Sequence, residues 1–432
     1  MRLCAFGPRL ASSRVRFATH VKAPSRETTL RASANAPAAL ERHRGVASPA
    51  LRLLVAAGTS FYGDWLTTVA LVVLLFRLTQ SPIGPALYIV ARAAPRVLGP
   101  LPGGALADRF GAARVVAVCA ALQAIATASI VAAADHGMIW AIYVAVVVSQ
   151  LLGSAAQPCY TALVPRVTTP DRLGRVQGAY TALQSSSILV APAVGALLLP
   201  ITTPELLIAI DALSFVVAAI LLATLLRIGN AEPIGAGRRG IRVGLRAIGG
   251  DQMLRFLASA SVANAAAVTA LQAVLVVAAA QHFGHDTVVG WLYAAVGAGG
   301  LVGTLPVIRR TPSHVGLSWI VGPSVLELAP LAVFVFVTSL PAAMVLLFLS
   351  SLGATLYQTR GAVGMQQRVA RDALGRASAV IGLAIYVGML SGALAALALV
   401  SAIGWEATVL IVCATSATVL FVAAVSESRA PL

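Results

Sequence analysis

Charge is scarce in this chain. Asp, Glu, Lys and Arg make up 11% of its 432 residues, where an ordinary soluble protein has about 25%. Lysine is nearly absent, Lys22 being the only one. A nucleotide-binding P-loop places a lysine behind its glycines to reach the phosphates, so this chain holds no such ATP site of its own. Paired cysteines are missing as well. Cys4, Cys119, Cys159 and Cys413 form no CxxC, and three lie in or beside apolar runs, where cysteine acts as a small packing residue. His282, His285 and Asp286 come nearest to a metal-ligand grouping, but their loose spacing fits a polar turn better. No nucleophile–base pair is visible. The expectation is no metal, no cofactor and no enzyme.

Apolar material fills the chain instead. Hydrophobic residues reach 59%, and the mean hydropathy is +0.88. They fall in runs of about 20, the length that crosses roughly 30 Å of hydrocarbon. Twelve such runs are expected, at about 51–76, 84–107, 115–134, 138–159, 176–199, 204–226, 255–280, 287–307, 315–337, 341–361, 376–401 and 405–425. Lipid offers the backbone no hydrogen-bond partner, so the runs must be helical. Turn residues part them at Ser81-Pro82, Asp135-His136-Gly137, Thr203-Pro204, Gly284-His285-Asp286 and Gly404. Gly297, Gly299, Gly300 and Gly303 lie inside a run, which suits close helix packing rather than a phosphate loop.

The net charge of +16 and a pI near 11.0 would suit nucleic acid. The arginines, however, sit in short loops between the runs, with no aromatic-rich soluble module beside them, and no nucleic acid partner is expected. Alternate loops differ in chemistry. One set holds Arg109 to Arg114, Arg166 to Arg175, Arg227 to Arg255, Arg309-Arg310 and Arg368 to Arg376. The other holds a single arginine, Arg77, with Asp135, Glu205, Asp286 and Glu406. The positive-inside rule puts the first set in the cytoplasm, and an even number of crossings puts both termini there. Residues 1–48 are basic and carry no spanning run; they read as a disordered cytoplasmic tail or as translated sequence upstream of the true start. The abundance of Arg, Ala, Val and Gly suggests a bacterial source, hence a multi-pass protein of a bacterial plasma membrane.

The widest basic loop contains Gly229-Asn230, Pro233 and Gly235-Ala-Gly237, a linker composition. It divides the chain into bundles at 49–227 and 254–426, a linker at 228–253 and a short tail at 427–432. An internal repeat agrees: Asp171-Arg-Leu173-Gly174-Arg175 returns as Asp372-Ala-Leu374-Gly375-Arg376, about 200 positions later, and Leu152-Gly153 returns as Leu352-Gly353. Parallel halves with a site between them near the midplane are one plan that transporters use.

Gly104-Ala-Leu-Ala-Asp108-Arg109-Phe-Gly111 resembles the G-x-x-x-D-R/K-x-G motif of the major facilitator superfamily, and it falls, as there, between the second and third spans. Gly63-Asp64, Ser81-Pro82, Pro95-Arg96 and Asp211-Ala-Leu-Ser214-Phe215 are similar to the bacterial enterobactin-exporter-like and macrolide-efflux-like branch. The resemblance covers about residues 50–425. It implies an all-α membrane protein of twelve transmembrane helices in two six-helix bundles, working by alternating access. It also implies that Gly104, Asp108, Arg109 and Gly111 form a loop that locks one conformation. An acid at a helix N-terminus gains about 0.3–1 kcal/mol from the dipole. The chain departs from the pattern at Ala112-Ala113, where a basic pair is expected. The second-half copy of the motif is reduced to Gly303 with Arg309-Arg310, and the fourth-span arginine of many drug antiporters is missing. The fifth-span antiporter signature survives as Ser187, Ala191-Pro192 and Gly195-Ala196. Small residues around Pro192 and Gly195 still permit close helix approach.

Asp64, Arg96 and Glu327 each lie about 12 residues inside a span, near the midplane at 1.5 Å per residue. Ionisable groups there cost about 2.5–3.5 kcal/mol on insertion scales and face a cavity or a partner. An acid facing an arginine is a proton carrier or a structural ion pair. Arg92 lies one turn from Arg96 and extends a cationic lining. Gln123, Gln150, Gln157, Gln184, Asn264, Gln272 and Gln358 are either pathway contacts or interhelical hydrogen-bonding groups. The leading expectation is proton-coupled efflux of a small amphipathic molecule by a monomer in the bilayer, with protons as the coupling ion. Import of a small anionic metabolite is a second reading. A non-transporting sensor or assembly protein on the same fold is a third.

Overall fold

The computed structural model describes residues 48–99, 103, 106–107, 109–169, 171–226, 245–246, 248–309, 318–369 and 371–428. The expected tail up to residue 47, most of the expected linker, and Gly104 and Asp108 of the loop motif lie outside the described residues. The helices are α1 (Pro49–Thr79), α2 (Ile83–Leu98), α3 (Ala112–Asp135), α4 (Ile139–Leu163), α5 (Leu173–Leu198), α6 (Pro204–Ala223), α7 (Gln252–Phe283), α8 (Val289–Arg309), α9 (Ser318–Phe334), α10 (Leu340–Arg368) and α11 (Arg371–Ser428). No strand occurs among the described residues. Eight helical stretches there are long and apolar enough to cross a membrane by length and composition.

Local chemistry sets the ends. Thr203 caps α6 by accepting a hydrogen bond from the Leu206 N–H at 3.3 Å, ahead of Pro204 and Glu205. These are a cap hydroxyl, a proline whose missing donor is not needed, and an acid at the positive end of the dipole. Asp251 caps α7 through the Leu254 N–H at 3.0 Å. Inside α11, Gly404 has φ 82° and ψ 169°, a conformation open to glycine and closed to most other residues. It breaks α11 where the sequence placed the turn between the last two runs. Trp405, next to the break, donates its indole N–H to Gln281 of α7 at 2.8 Å.

The α2 and α10 helices depart most from the expected spans. The α2 helix ends at Leu98 rather than near 107, and beyond it the Gly103 N–H donates to the Gly99 carbonyl at 3.3 Å, the i to i−4 pairing of a helix. The α10 helix runs to Arg368 rather than stopping near 361. Apolar composition marks where a helix leaves hydrocarbon, whereas backbone hydrogen bonding persists into polar Gln366, Gln367 and Arg368.

The α1 helix packs on α5 and α6, α3 on α4 and α6, and α2 on α4. Further along the chain α7 packs on α11, and α10 on both α8 and α9. The α5–α8 and α2–α11 contacts join the first six helices to the rest. Every residue from Thr67 to Leu75 in α1 and from Ala273 to Ala279 in α7 is buried, as suits helices surrounded by others. The outer helices carry apolar stripes facing outward. On α6 the stripe is Leu206, Ile210, Leu213, Val217 and Ile220, all exposed, while Leu207, Ile208, Asp211, Phe215 and Ala218 turn inward. An apolar outer stripe with a carboxylate on the inner one reverses the pattern of a water-soluble helix and fits a lipid surround.

Candidate functional site

A cavity of about 340 Å³ lies among α1–α6, with Tyr386 of α11 on its wall. Helical spacing explains its lining. Ser60, Phe61, Asp64 and Trp65 fall on one face of α1, and Arg92 and Arg96 share a face of α2 one turn apart. Gln123 of α3, Gln150 and Gln157 of α4 and Gln184 of α5 complete a polar ring, with Phe61, Trp65, Tyr160 and Phe215 as aromatic surface. Such a mixture of aromatic walls and few polar groups suits a small organic ligand.

The cations are differently held. The Arg96 guanidinium donates to Gln150 Oε1 at 3.3 Å. The Arg92 guanidinium lies 4.7 Å from the centroid of the Trp65 ring, a cation–π arrangement, and its buried Nε has no hydrogen-bond partner among the described residues. Both positive charges act on Asp64.

Seven of the expected residues therefore meet in one cavity: Asp64, Arg92, Arg96, Gln123, Gln150, Gln157 and Gln184. Four others do not line it. Glu327 is buried in α9 with its Oε2 unpartnered among the described residues. Asn264 is buried and donates to Ser324 Oγ at 3.4 Å. The Gln272 backbone carbonyl accepts from the Tyr293 hydroxyl at 3.3 Å, and Gln358 is exposed. In the loop motif, Arg109 is exposed with its guanidinium 5.2 Å from the Phe110 ring centroid. Gly111 stands before α3 at φ 86°, ψ 136°, which only glycine adopts without strain. Pro192 and Gly195 are buried in α5. A Cβ at Gly195 would meet Leu66 and Val69 of α1 at ordinary contact distance, 3.5 Å. The α8 glycines make closer approaches: Gly290 lies against Ala196 and Gly297 against the backbone at Leu189, both in α5.

Asp211 is the residue that sequence reasoning undervalued. In the sequence it stood only as part of the stretch Asp211-Ala-Leu-Ser214-Phe215 that carries the resemblance, yet it is 1% exposed inside the bundle. Thr67 Oγ1 of α1 donates to its Oδ2 at 2.7 Å, and Ser214 Oγ to its Oδ1 at 3.0 Å. The rule that singled out Asp64, an acid well inside an apolar run, applied to Asp211 equally.

Apolar helices around a buried, charged and aromatic cavity define a multi-pass membrane transporter for small molecules. Residues 53–309, more than half of the chain, match the family model of the Major Facilitator Superfamily, and the chain belongs to that family. It is 27% identical over 377 residues to the multidrug efflux pump Tap of Mycobacterium tuberculosis (strain ATCC 25618 / H37Rv), covering 84% of this chain and 89% of Tap. Over 214 residues it is 29% identical to the multidrug resistance protein MdtH of Proteus mirabilis (strain HI4320), covering 49% of this chain and 51% of MdtH. Its fold matches the crystal structure of a bacterial homologue of the iron transporter ferroportin in an inward-facing state. That match has a TM-score of 0.70 at 15% identity, over 88% of this chain and 99% of the other.

Proposed function

We propose that this transporter exports a small amphipathic molecule in exchange for protons, by alternating access, from the cytoplasmic side of a bacterial plasma membrane. The observation that carries the reading is Asp64 in the 340 Å³ cavity with Arg92 and Arg96 facing it. A carboxylate at that depth gains its charge partner when ionised and loses its burial cost when protonated, so proton and substrate compete for one set of contacts. The efflux direction draws on the resemblance to Tap and MdtH, whose names describe drug export and resistance. Twelve crossings, bundles at 49–227 and 254–426, cytoplasmic termini and a monomeric unit belong to the same reading. It is supported by the loop charges and by the glycine break that divides α11.

The Arg92 guanidinium on the cavity wall favours substrates carrying an acidic or strongly accepting group beside their apolar body. The same observation supports import of a small anionic metabolite as the second reading.

A growth-inhibition panel in an efflux-deficient host separates the two. At matched expression, the wild-type chain raises tolerance to some amphipathic compounds and Asp64→Asn does not. Unchanged tolerance across a broad panel, with accumulation of an anionic metabolite, would replace export by import.

A further inference from the structure

We propose that Asp211 is a second proton-binding carboxylate, loaded from Asp64 across a water-sized cavity. The inference rests on the proton-coupled reading above and adds to it a residue and a route. Asp64 lines two spaces. One is the central cavity. The other is a cavity of about 10 Å³ behind it, lined among others by Thr67, Tyr88, Ser149, Gln150 and Asp211. That is the room of about one water molecule, and the lining supplies the two to four polar partners that a buried water needs. Asp64 thus stands in the wall between the substrate space and Asp211.

The approach of the two acids is built into the backbone. Gly63, beside Asp64, is buried against the Asp211 carboxylate, and a Cβ at position 63 would overlap Oδ1 of Asp211 and Oγ of Ser214. A helix position without a side chain is what lets the α6 carboxylate reach the α1 backbone. Among the described residues no cation pairs with Asp211; its partners are the Thr67 and Ser214 hydroxyls. A structural acid this deep is normally held by a positive charge. Of the elements around it, α1 contributes Asp64 and α2 contributes Tyr88, with Arg92 and Arg96 acting on Asp64. The α3 and α4 helices present only Thr127, Ile130, Val146, Ser149 and Gln150. Two negative charges on one small cavity repel, and one proton held between them relieves the repulsion.

The transfer balances simply. The Asp64 carboxylic acid gives its proton to the bridging water, and that water gives one of its own to an Asp211 carboxylate oxygen. One O–H bond breaks at Asp64 and one forms at Asp211; the water is unchanged. A proton arriving on Oδ2 makes that oxygen a donor, so the Thr67 hydroxyl, which donates to it in the structure, must turn to accept, and loading reverses a hydrogen bond between two cavity-lining helices.

The test is a pH titration of purified protein in lipid nanodiscs, followed by infrared difference spectroscopy of the carboxylic-acid carbonyl stretch. Glu327→Gln serves as the background, so that the other buried acid is silent. Beside the bands of the exposed carboxylates, two further pH-dependent bands are expected. Asp211→Asn removes one. Asp64→Asn removes the other, and after a pH jump it slows the remaining band by about a hundredfold, the scale of losing a positioned proton donor. Thr67→Val and Ser214→Ala keep the carboxylate and shift the frequency and midpoint of the Asp211 band, which decides the matter if Asp211→Asn does not fold. An Asp211→Asn protein that keeps every band, or hydroxyl variants that alter none, would overturn the inference while leaving the coupling role of Asp64 intact. If Asp64→Asn also leaves the spectrum unchanged, the coupling reading falls with it.

Discussion

Arg77 and Asp286 form a two-bond ion pair, Nε to Oδ2 at 2.6 Å and Nη2 to Oδ1 at 3.1 Å. The pair joins the last turn of α1 to the short turn Asp286–Val288 that leads into α8. In the orientation proposed from the loop charges both residues lie on the outer face, at a point where the first six helices meet the remainder. Alternating access requires such contacts to break when the outer side opens.

Asp286→Asn is therefore expected to populate the outward-open state more. The pair is partly exposed, with 43% and 19% of the side chains accessible, which limits its worth to about 1 kcal/mol or less. That corresponds to up to about a fivefold change in the ratio of states. Spin-label distances between the outer ends of α1 and α8 measure it, and the charge swap Arg77→Asp with Asp286→Arg should return the distribution toward wild type. Identical distributions in Asp286→Asn and wild type would remove the pair from the gate.

Gly111→Ala tests the turn between the loop motif and α3. At φ 86°, ψ 136° an L-residue is strained by about 1–3 kcal/mol. Thermal unfolding in detergent should fall by a few degrees, and transport should fall with it. An unshifted melting temperature would mean that the turn relaxes without loss.

Arg92 and Arg96 should separate by role. Arg96 is engaged with Gln150, while Arg92 lies over the Trp65 ring on the cavity wall, its buried Nε without a hydrogen-bond partner among the described residues. Arg92→Gln is expected to weaken binding of acidic substrates by about 1.5–3 kcal/mol, the range for a hydrogen bond to a charged group, with little effect on neutral ones. Trp65→Leu should weaken all aromatic substrates alike. Equal losses for acidic and neutral compounds in Arg92→Gln would deny it a recognition role.

Much of this was legible in the sequence because the bilayer simplifies the physics. Run length fixed where helices lie, and Gly404 marked a real break. The cost of charge in hydrocarbon picked out Asp64, Arg92 and Arg96, which do meet. The failures share one cause. Membership in a cavity depends on which face of a helix turns inward and on which helix stands opposite, and apolar runs that face lipid on one side and protein on the other carry little periodic signal. Gln358 and Gln150 look alike in sequence, yet one is exposed and the other meets Arg96. Tyr386 reaches the cavity from a distant part of the chain through the α2–α11 contact, which no local pattern announces.

In the proposed cycle, protons carried on Asp64 drive export through this cavity. The most direct test uses proteoliposomes holding a pH-sensitive dye inside, challenged with one compound to which the wild-type chain confers tolerance. Wild type should move protons opposite to the compound. Asp64→Asn should bind the compound and exchange it without a gradient, yet move no protons. Gradient-driven transport that persists in Asp64→Asn at the wild-type rate would rule out Asp64 as the proton carrier.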